Sequence, residues 1–390
     1  MRTFFGKNDR KADDNHTGGD SVRYSLYCRR SPKIIAVAGG KGGVGKSIFA
    51  SMLGMCLAGF KRRTVLVDLD FSGANLHGLL DLPESNKSLN AFLSGRNKSL
   101  SEVVQRTPFE KLDAITFQSD PSQSEELEPW QEQKLFHYLK QLRADYIILD
   151  LGNAATNFGL NALLFAGNRV IITSADMFSV LNTFTLIRSV VLWGVQKYLD
   201  DSPSARRTLN ESGLLINSRA AKPLHVYLKQ IQGISRTRID AMQHFLRHFS
   251  PAIVLNCMRP EEQLTDFALL GPLANDLLSI RLDFWGGIRY DASVRAAVRE
   301  SRPSRLLSGN SIASEDMVKL AVRNLLAQEI APRKDKQGEW IKNSNHLCAF
   351  DKKSQRVTCH NKCLAWNSCH ARDEGGPCTR MVFRQMKKVG

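Results

Sequence analysis

Short runs of β-branched and other apolar residues recur along the middle of the chain, separated by segments of helical length. Because these runs are nearly continuous rather than alternating, they predict strands that are covered on both faces. Their alternation with helical segments over about 300 residues predicts an α/β fold with a doubly wound, mainly parallel sheet. The predicted strands are Ile34–Ala38, Thr64–Val67, Ala114–Phe117, Tyr146–Leu149, Arg169–Thr173 and Ala252–Leu255.

Several of the intervening segments carry a helical pattern. Ser314–Gln328 begins with a serine followed by two acidic residues, which suit a helix N-terminus, and we expect this helix to close the sheet. We interpret the polar, basic stretch at about 200–250 as a helical insertion on the surface of the same domain, because it interrupts the strand–helix spacing. The other predicted helices are Ser47–Ala58, Val180–Leu199 and Ile239–Phe249.

Composition divides the 390 residues into four parts. Residues 1–32 are polar and aperiodic and predict a flexible leader, 33–330 form the α/β domain, 331–345 a basic linker, and 346–390 a small Cys/His-rich appendage. No run of about 18 uninterrupted apolar residues occurs, so no membrane-spanning helix is expected. The N-terminus lacks the apolar segment of a secretory signal, which favours a cytoplasmic location.

The net charge of +16 is concentrated at the two ends of the chain. Residues 1–33 contain 8 Lys and Arg against 4 Asp and Glu, and residues 331–390 contain 13 against 5. Basic ends attract the phosphates of nucleic acid or anionic lipid headgroups through long-range electrostatics. Two solvated tails explain the same composition, so both interpretations stay open.

The segment Gly39–Ser47 (GGKGGVGKS) directly follows a predicted strand and precedes a predicted helix. The spacing of Gly40, Gly45, Lys46 and Ser47 is that of a phosphate-binding loop. Glycines let successive backbone N–H groups turn towards phosphate oxygens, and the helix N-terminus adds its dipole. We expect Lys46 to reach the β- and γ-phosphates of a nucleotide and the Ser47 hydroxyl to hold Mg²⁺.

Three carboxylates follow apolar strands, at the edge where open α/β sheets bind ligands. Asp68 and Asp70 lie in VLVDLDFSGANLH, and Asp150 ends YIILD. An acidic side chain near a phosphate loop repels phosphate unless a cation or a reacting water lies between them. These residues are therefore candidates for a Mg²⁺ shell and for the activation of water.

Lys41 is an additional lysine within the loop. With it, the KGGVGKS form resembles the deviant Walker A motif of the MinD/ParA class of ATPases, and FSGANL after Asp70 resembles the FlhG/MinD branch of that class. The resemblance covers about residues 33–328. It implies an ATP-dependent homodimer in which Lys41 contacts the partner's nucleotide, because a cation supplied in trans stabilises the charge of phosphoryl transfer only when two subunits meet.

The same resemblance implies roles for individual residues. Asp70 orients or activates the attacking water, and Asp68 and Asp150 serve the Mg²⁺ shell. Asn256 contacts the adenine edge, and Asp291, in RYDASVRAAV, lies near the base. The residues assigned to the nucleotide are Gly40, Gly42, Gly43, Val44, Gly45, Lys46, Ser47, Ile48, Asn256 and Asp291.

Three positions depart from the pattern of the class. Ala154 replaces a glycine near the γ-phosphate, Ala175–Asp176 replaces a Pro-Glu pair, and Arg289 replaces a proline. A Cβ at position 154 restricts the approach of the backbone to phosphate, so we expect slow hydrolysis. The class's C-terminal membrane-targeting helix and the N-terminal motif that stimulates a GTPase partner are not recognisable in the sequence.

The C-terminal appendage is rich in soft metal ligands. Thiolates and imidazoles at short spacing suit Zn²⁺, and four thiolates suit an iron–sulfur cluster. A segment this polar has little apolar surface to bury, so a metal would hold it folded. Disulfides or free thiols remain alternatives, because the CxxC pairs of common zinc ribbons do not occur. The candidate ligands are Cys359, Cys363, Cys369 and Cys378, with Cys348, His346, His360 and His370 nearby.

The sequence thus predicts a dimerising ATPase switch that positions or numbers a cellular structure such as a flagellum or a division site. It would act through an unidentified protein partner in the cytoplasm, or peripherally at the inner face of the membrane. Two alternatives stay open. The appendage suits a metal or iron–sulfur carrier gated by ATP, and the basic ends suit a ParA-like partition ATPase that binds nucleic acid.

Overall fold

The computed structural model describes residues 31–327, apart from short gaps, and two short segments near residue 350. The gaps are 72, 74–75, 84, 86, 119–126, 200–206, 208–222, 231–234, 260–264, 301, 303–304 and 308–310, and the short segments are 349–351 and 356–358. The leader, the linker and the candidate ligands Cys359, Cys363, Cys369 and Cys378 lie outside the described residues, as does much of the 200–250 insertion. Those predictions stay predictions.

Within the described residues, eight strands form one sheet in the order β3-β4-β2-β5-β1-β6-β7-β8. Neighbouring strands run parallel, except for the antiparallel pair β3–β4 at one end. The predicted doubly wound, mainly parallel sheet is thereby confirmed. The strands are β1 (Lys33–Gly39), β2 (Thr64–Leu69), β3 (Gln105–Arg106), β4 (Leu112–Ile115), β5 (Tyr146–Leu151), β6 (Asn168–Thr173), β7 (Ala252–Met258) and β8 (Asp283–Arg289), with a separate antiparallel pair β9 (Ala349–Asp351) and β10 (Arg356–Thr358).

Helices cover both faces of the sheet. The helices of the described residues are α1 (Lys46–Gly59), α2 (Leu76–Leu79), α3 (Leu89–Leu93), α4 (Pro129–Leu139), α5 (Asn157–Phe165), α6 (Met177–Leu199), α7 (Leu224–Gln230), α8 (Arg236–His248), α9 (Thr265–Ala268), α10 (Leu270–Leu278), α11 (Ala292–Arg299) and α12 (Ile312–Ala321).

Two buried clusters lie on opposite faces of the sheet because successive side chains of a strand alternate between faces. In β1, Ile34 and Ala36 belong to one cluster, together with side chains of α3 to α8 and α10. Ile35 and Val37 belong to the other, together with side chains of α1, α2, α11 and α12. Strands apolar on both faces are therefore required at the centre of the sheet, which is why their runs are nearly continuous.

The six predicted strands are all present, with ends that shift by no more than three residues. Two strands of the sheet were not predicted from the sequence, the two-residue β3 and β8, whose sequence DFWGGIR contains two glycines and is charged at both ends. Only Trp285 and Ile288 of this strand are buried, as suits the last strand in the sheet order. Gly286, at φ +132°, lies where the β7–β8 register shifts, so the glycine provides a backbone conformation that other residues rarely adopt.

The last helix begins earlier than predicted. The expected start at Ser314 is wrong by two residues, since α12 starts at Ile312 and the Ser311 hydroxyl accepts a hydrogen bond from the Ser314 N–H. A π-helical turn over Val322–Leu326 extends it. The helix packs on α1 and β8 and closes the sheet as expected.

Arg289, where the resemblance expects proline, ends β8 and joins it to α12. Its guanidinium donates two hydrogen bonds to the Asp316 carboxylate, from Nε at 2.7 Å and from Nη2 at 2.8 Å, and its backbone N–H donates a third at 3.1 Å. Such bidentate pairs are among the stronger and more geometrically specific ion pairs. Arg289 therefore has a structural role that proline could not fill, since proline has neither a backbone N–H nor a guanidinium.

The helix α6 is long and apolar enough to span a bilayer by length and composition alone. More than half of its most apolar window is buried, against β6 and the helices α5, α8 and α10. Gly194 of this helix lies against the Phe245 ring of α8 with no room for a Cβ, which shows how closely the two helices pack. We therefore regard α6 as a core helix of this fold, the commoner explanation of such a sequence.

Candidate functional site

The loop between β1 and α1 has the geometry of a phosphate cradle. Gly43 and Gly45 adopt φ of +76° and +90°, in the left-handed region that favours glycine. Gly45 directly precedes α1, and its carbonyl accepts the N–H of Phe49 at 2.9 Å. The loop N–H groups and the N-terminus of α1 therefore meet at the carboxyl edge of β1, an arrangement that attracts anions.

Neighbouring elements hold the two ends of this loop. A Cβ at Gly40 would overlap the backbone of Asn182 and Thr183 in α6, and a Cβ at Gly45 would overlap the amide of Asn256. The Asn256 Nδ2 donates to the Val44 carbonyl at 2.8 Å. The loop is thus packed between α6 on one side and the end of β7 on the other.

Two buried carboxylates lie beside this loop. Asp68 on β2 and Asp150 on β5 are direct partners in the parallel register, and each is 1% exposed. Asp68 accepts the N–H groups of Asp70 at 3.1 Å and Leu76 at 3.4 Å. The Ser47 hydroxyl, in the first turn of α1, donates to Asp150. The register of β2 and β5 therefore places both carboxylates next to the start of α1.

The proximity and burial of these carboxylates raise their pKa values. Burial raises the pKa of Asp150 to about 6, although the Ser47 hydrogen bond and the Lys46 charge oppose the shift. Burial and the Asp150 charge hold the pKa of Asp68 well above its usual range. Strongly perturbed pKa values cluster at functional sites, so this pair of acids is a candidate for one.

The donor set fits Mg²⁺. Asp150 Oδ1 is buried and has no hydrogen-bond partner among the described residues, although a buried carboxylate oxygen is costly to leave unpaired. Carboxylate and hydroxyl oxygens are the ligands that Mg²⁺ prefers, and it usually binds through one or two carboxylates together with substrate phosphates. Ser47, Asp68 and Asp150 are the residues that would hold it.

Asp70 lies just beyond β2 and is partly exposed. Its Oδ1 accepts the N–H of Gly73 at 3.0 Å. A Cβ at Gly152, in the loop after β5, would overlap the Asp70 carboxylate, so the two loops approach each other closely here. The acid that the sequence assigns to the attacking water therefore lies between the loops that follow β2 and β5.

Lys41 lies at the surface of the loop, where its side chain is 48% exposed. Its Nζ is 3.8 Å from Oδ1 of Asp176, which directly precedes α6. The hydroxyl of Ser179 donates to the Asp176 carboxylate at 2.6 Å and that of Ser174 at 2.7 Å, and these bonds lower its pKa to about 2. In the sequence Asp176 stands out only as a departure from the class pattern, and its pairing with Lys41 was not predicted.

Asp291, assigned to the base, caps two helices. One oxygen accepts the N–H and the hydroxyl of Ser293 at the start of α11, and the other accepts the Ser311 hydroxyl at the start of α12. These bonds lower the pKa of Asp291 to about 2, against the opposing effect of burial. Its role at the base, like that of Asn256, stays a prediction.

The remaining site residues either anchor the phosphate loop in the core or lie at its surface. Val44 is buried in the core, and Ile48 packs partly buried against the same cluster, so both anchor the loop. Gly42 is exposed at the loop surface. Ala154 is buried, and Gly159 of α5 packs directly on its backbone. Among the described residues, no cluster of three or more His, Cys, Asp or Glu side chains is arranged to hold a metal ion.

The chain matches one family model and is similar to several known proteins. A family model described as an AAA domain matches residues 32–198. The sporulation initiation inhibitor protein Soj of Bacillus subtilis is 30% identical over 174 residues, which are 43% of this chain and 68% of Soj. Antiactivator FleN of Pseudomonas aeruginosa is 24% identical over 273 residues, 69% of this chain and 78% of FleN.

Further similarity is to septum site-determining MinD proteins. That of Bacillus subtilis is 28% identical over 156 residues, which are 39% of this chain and 57% of that protein. The structure of MinD from Pyrococcus horikoshii complexed with Mg-ADP has a TM-score of 0.50 at 20% identity and covers 76% of this chain and 97% of that one. At this identity the structural likeness concerns the fold.

The raised pKa of Asp150 predicts a pH-dependent penalty in the nucleotide-free protein. The pKa of Asp150 is higher in the folded protein, about 6, than in the unfolded chain, about 4. Its contribution to the free energy of unfolding is therefore fully present below about pH 4 and is lost as the pH rises through about 6. Asp150→Asn keeps an acceptor for Ser47 but removes the charge. Thermal unfolding should show the variant gaining Tm over wild type as the pH rises from about 4 to about 8.

Exposed Asp276 provides the matched control, since Asp276→Asn removes a carboxylate away from the paired acids. We expect its Tm difference from wild type to stay flat over the same pH range. An Asp150→Asn difference that is equally flat would contradict the account of the buried pair.

Proposed function

The chain belongs to the MinD/ParA class of P-loop ATPases, and we propose that it is a dimerising ATP-driven switch that positions or numbers a cellular structure such as a flagellum or a division site. The observation that carries the proposal is that Lys41, within the predicted phosphate loop, has a half-exposed side chain that a partner could reach. The similarity to proteins named septum site-determining protein MinD and antiactivator FleN supports a positioning or numbering role.

The nucleotide would bind at the carboxyl edge of β1. The N–H groups of residues 40–45 and the dipole of α1 would hold the phosphates, and Lys46 would contact the β- and γ-phosphate oxygens. Mg²⁺, when bound, neutralises charge on those oxygens. Ser47, Asp68 and Asp150 would hold it, and its charge would offset the repulsion between the two buried acids.

Hydrolysis requires a water in line with the leaving oxygen of ADP. Asp70 is the acid between the loops that follow β2 and β5, and its carboxylate is partly exposed. It would accept a hydrogen bond from the attacking water and orient it, and the water oxygen would form a bond to phosphorus as the bond to ADP breaks. The products are ADP and inorganic phosphate, with the proton passing to Asp70 or to the phosphate.

Lys41 would complete the site only in a dimer. In the single chain it pairs with Asp176 at 3.8 Å, and both side chains are about half exposed. An exposed pair at this distance stabilises little, so Lys41 can leave it at small cost. A cation placed against the partner's phosphates would stabilise the charge that develops in the transition state. Hydrolysis would then depend on dimerisation.

An exposed apolar patch lies beside Lys41. It consists of Met177, Phe178 and Leu181 in the first turns of α6, which are 57%, 73% and 48% exposed. Because the patch directly follows Asp176, a cation, an anion and an apolar surface adjoin one another here. Such a surface can pair with its own copy about a two-fold axis. It therefore supports a second copy of the chain as the partner at this face.

ATP would favour the dimer by its higher affinity for that state. The dimer would present a surface for a protein partner that the sequence does not identify, and hydrolysis would release it. We expect the chain to act in the cytoplasm, or peripherally at the inner face of the membrane, as the similarity to MinD and FleN suggests.

Lys41→Ala tests the trans cation. We expect steady-state ATP turnover to fall by about 100-fold or more, because a transition-state charge loses its partner, while affinity for a fluorescent ATP analogue changes little. Lys61→Ala, which removes an exposed lysine paired with Glu110 at 2.9 Å, is the matched control and should turn over normally. Unchanged turnover in Lys41→Ala would refute the role in trans.

Phe178→Ser tests the patch as a dimer surface. We expect the variant to bind Mg·ATP as a monomer but to lose ATP-dependent dimerisation, measured by sedimentation velocity, because apolar burial between the copies is lost. Phe284→Ser is the control, since Phe284 is 54% exposed at the amino end of β8, away from the loop edge. A Phe178→Ser dimer as stable as wild type would exclude this surface.

A further inference from the structure

A row of aromatic rings connects the loop after β2 to the helices α4 and α5. The centroid of Phe71 lies 4.9 Å from that of Phe117 and 5.2 Å from that of Phe158. The row continues from Phe158 to Phe136 at 6.0 Å and from Phe136 to Phe165 at 4.3 Å. Aromatic pairs at these separations attract one another beyond the effect of simple burial.

Phe71 is the member of this row next to Asp70 in the chain. Its two neighbours are fixed in the core, since Phe117 is 7% exposed and follows β4, and Phe158 is 5% exposed in the first turn of α5. Phe71 itself is only partly buried and packs against this cluster. The ring therefore ties the loop after β2 to two rigid elements.

The backbone on either side of Asp70 is also held by polar contacts. The Asp70 N–H donates to Asp68 at 3.1 Å, and Gly73 donates to the Asp70 carboxylate at 3.0 Å. These bonds lie within residues 68–73, at the end of β2 and in the segment that follows it. The contact between Phe71 and Phe158 adds a connection to α5, which follows the Asp150 loop. The contact of Phe71, the residue after Asp70, with Phe158 thus holds Asp70 close to the loop that follows β5.

We propose that Phe71 is a positioning residue for ATP hydrolysis, whose ring, held between Phe117 and Phe158, fixes the distance of the Asp70 carboxylate from the phosphates. This inference rests on the proposed ATPase function and deepens it. The phosphate loop belongs to β1 and α1, so loss of the Phe71 ring leaves nucleotide binding in place. A misplacement of about 1 Å in a catalytic group can lower turnover by about 100-fold.

Phe71→Ala and Phe71→Leu test the inference by separating kcat from KM. We expect kcat for ATP to fall by about 10- to 100-fold in Phe71→Ala, with KM and the Kd of a fluorescent ATP analogue within about twofold of wild type. Phe71→Leu should be intermediate. Phe71→Tyr, which keeps the ring and can direct its hydroxyl to the partly exposed side, should recover most of the turnover.

Phe136→Leu is the matched control for the loss of one ring from the same row. Phe136 packs on Phe158 and Phe165, one ring removed from Phe71. We expect its Tm to fall by an amount comparable to that of Phe71→Leu, while its kcat stays within about twofold of wild type. If kcat falls in proportion to the loss of Tm to the same extent in Phe71→Leu and Phe136→Leu, the Phe71 ring has a merely structural role and the inference is overturned.

The outcomes distinguish this inference from the function on which it rests. Wild-type protein that neither binds nor hydrolyses Mg·ATP overturns both. An active wild type with full turnover in Phe71→Ala overturns the positioning role alone. So does a Phe71→Ala variant whose KM rises as much as its kcat falls, because the ring would then support nucleotide binding.

Discussion

Two buried carboxylates, Asp68 and Asp150, lie side by side on neighbouring parallel strands, and the rest of the site is arranged around their charge. Burial raises the free energy of both ionised forms, the Asp150 charge raises that of Asp68 further, and one oxygen of Asp150 is without a partner among the described residues. The hydroxyl of Ser47 and the charge of Lys46 offset part of this cost. A nucleotide that arrives with a divalent cation would offset more, so ligand binding and the stability of this edge of the sheet are coupled.

The sheet order explains why these groups meet. With β1 between β5 and β6, and β2 beside β5, the carboxyl ends of consecutive central strands carry the phosphate loop, the paired acids and Asp70. Lys41 and the patch of Met177, Phe178 and Leu181 adjoin that edge at the surface. In the proposed function, a single chain contributes the residues assigned to its own nucleotide, and Lys41, the cation proposed to act on the partner's nucleotide, lies on its exposed side. This geometry suits a molecule whose activity is controlled by pairing.

The sequence predicted the central strands because they are apolar on both faces, and it predicted the phosphate loop because few residue types permit that backbone. It did not predict β8, because Gly286 and Gly287 interrupt the apolar pattern of this strand. The buried side chains of β8 also pack into the core on only one face of the sheet. It also missed the pairing of Arg289 with Asp316, since the partners are 27 residues apart. The bonds of Asp291 to two helix starts also depend on tertiary structure that no local pattern reveals, and its assignment to the base stays a prediction.

The central claim is that ATP holds two copies of this chain together. Asp70→Ala removes the acid assigned to the water and should leave nucleotide binding intact, so Mg·ATP remains unhydrolysed. Multi-angle light scattering of this full-length variant should give twice the 43.7 kDa of the chain with saturating Mg·ATP, and the single mass with Mg·ADP. A single-chain mass in both nucleotides would contradict the account.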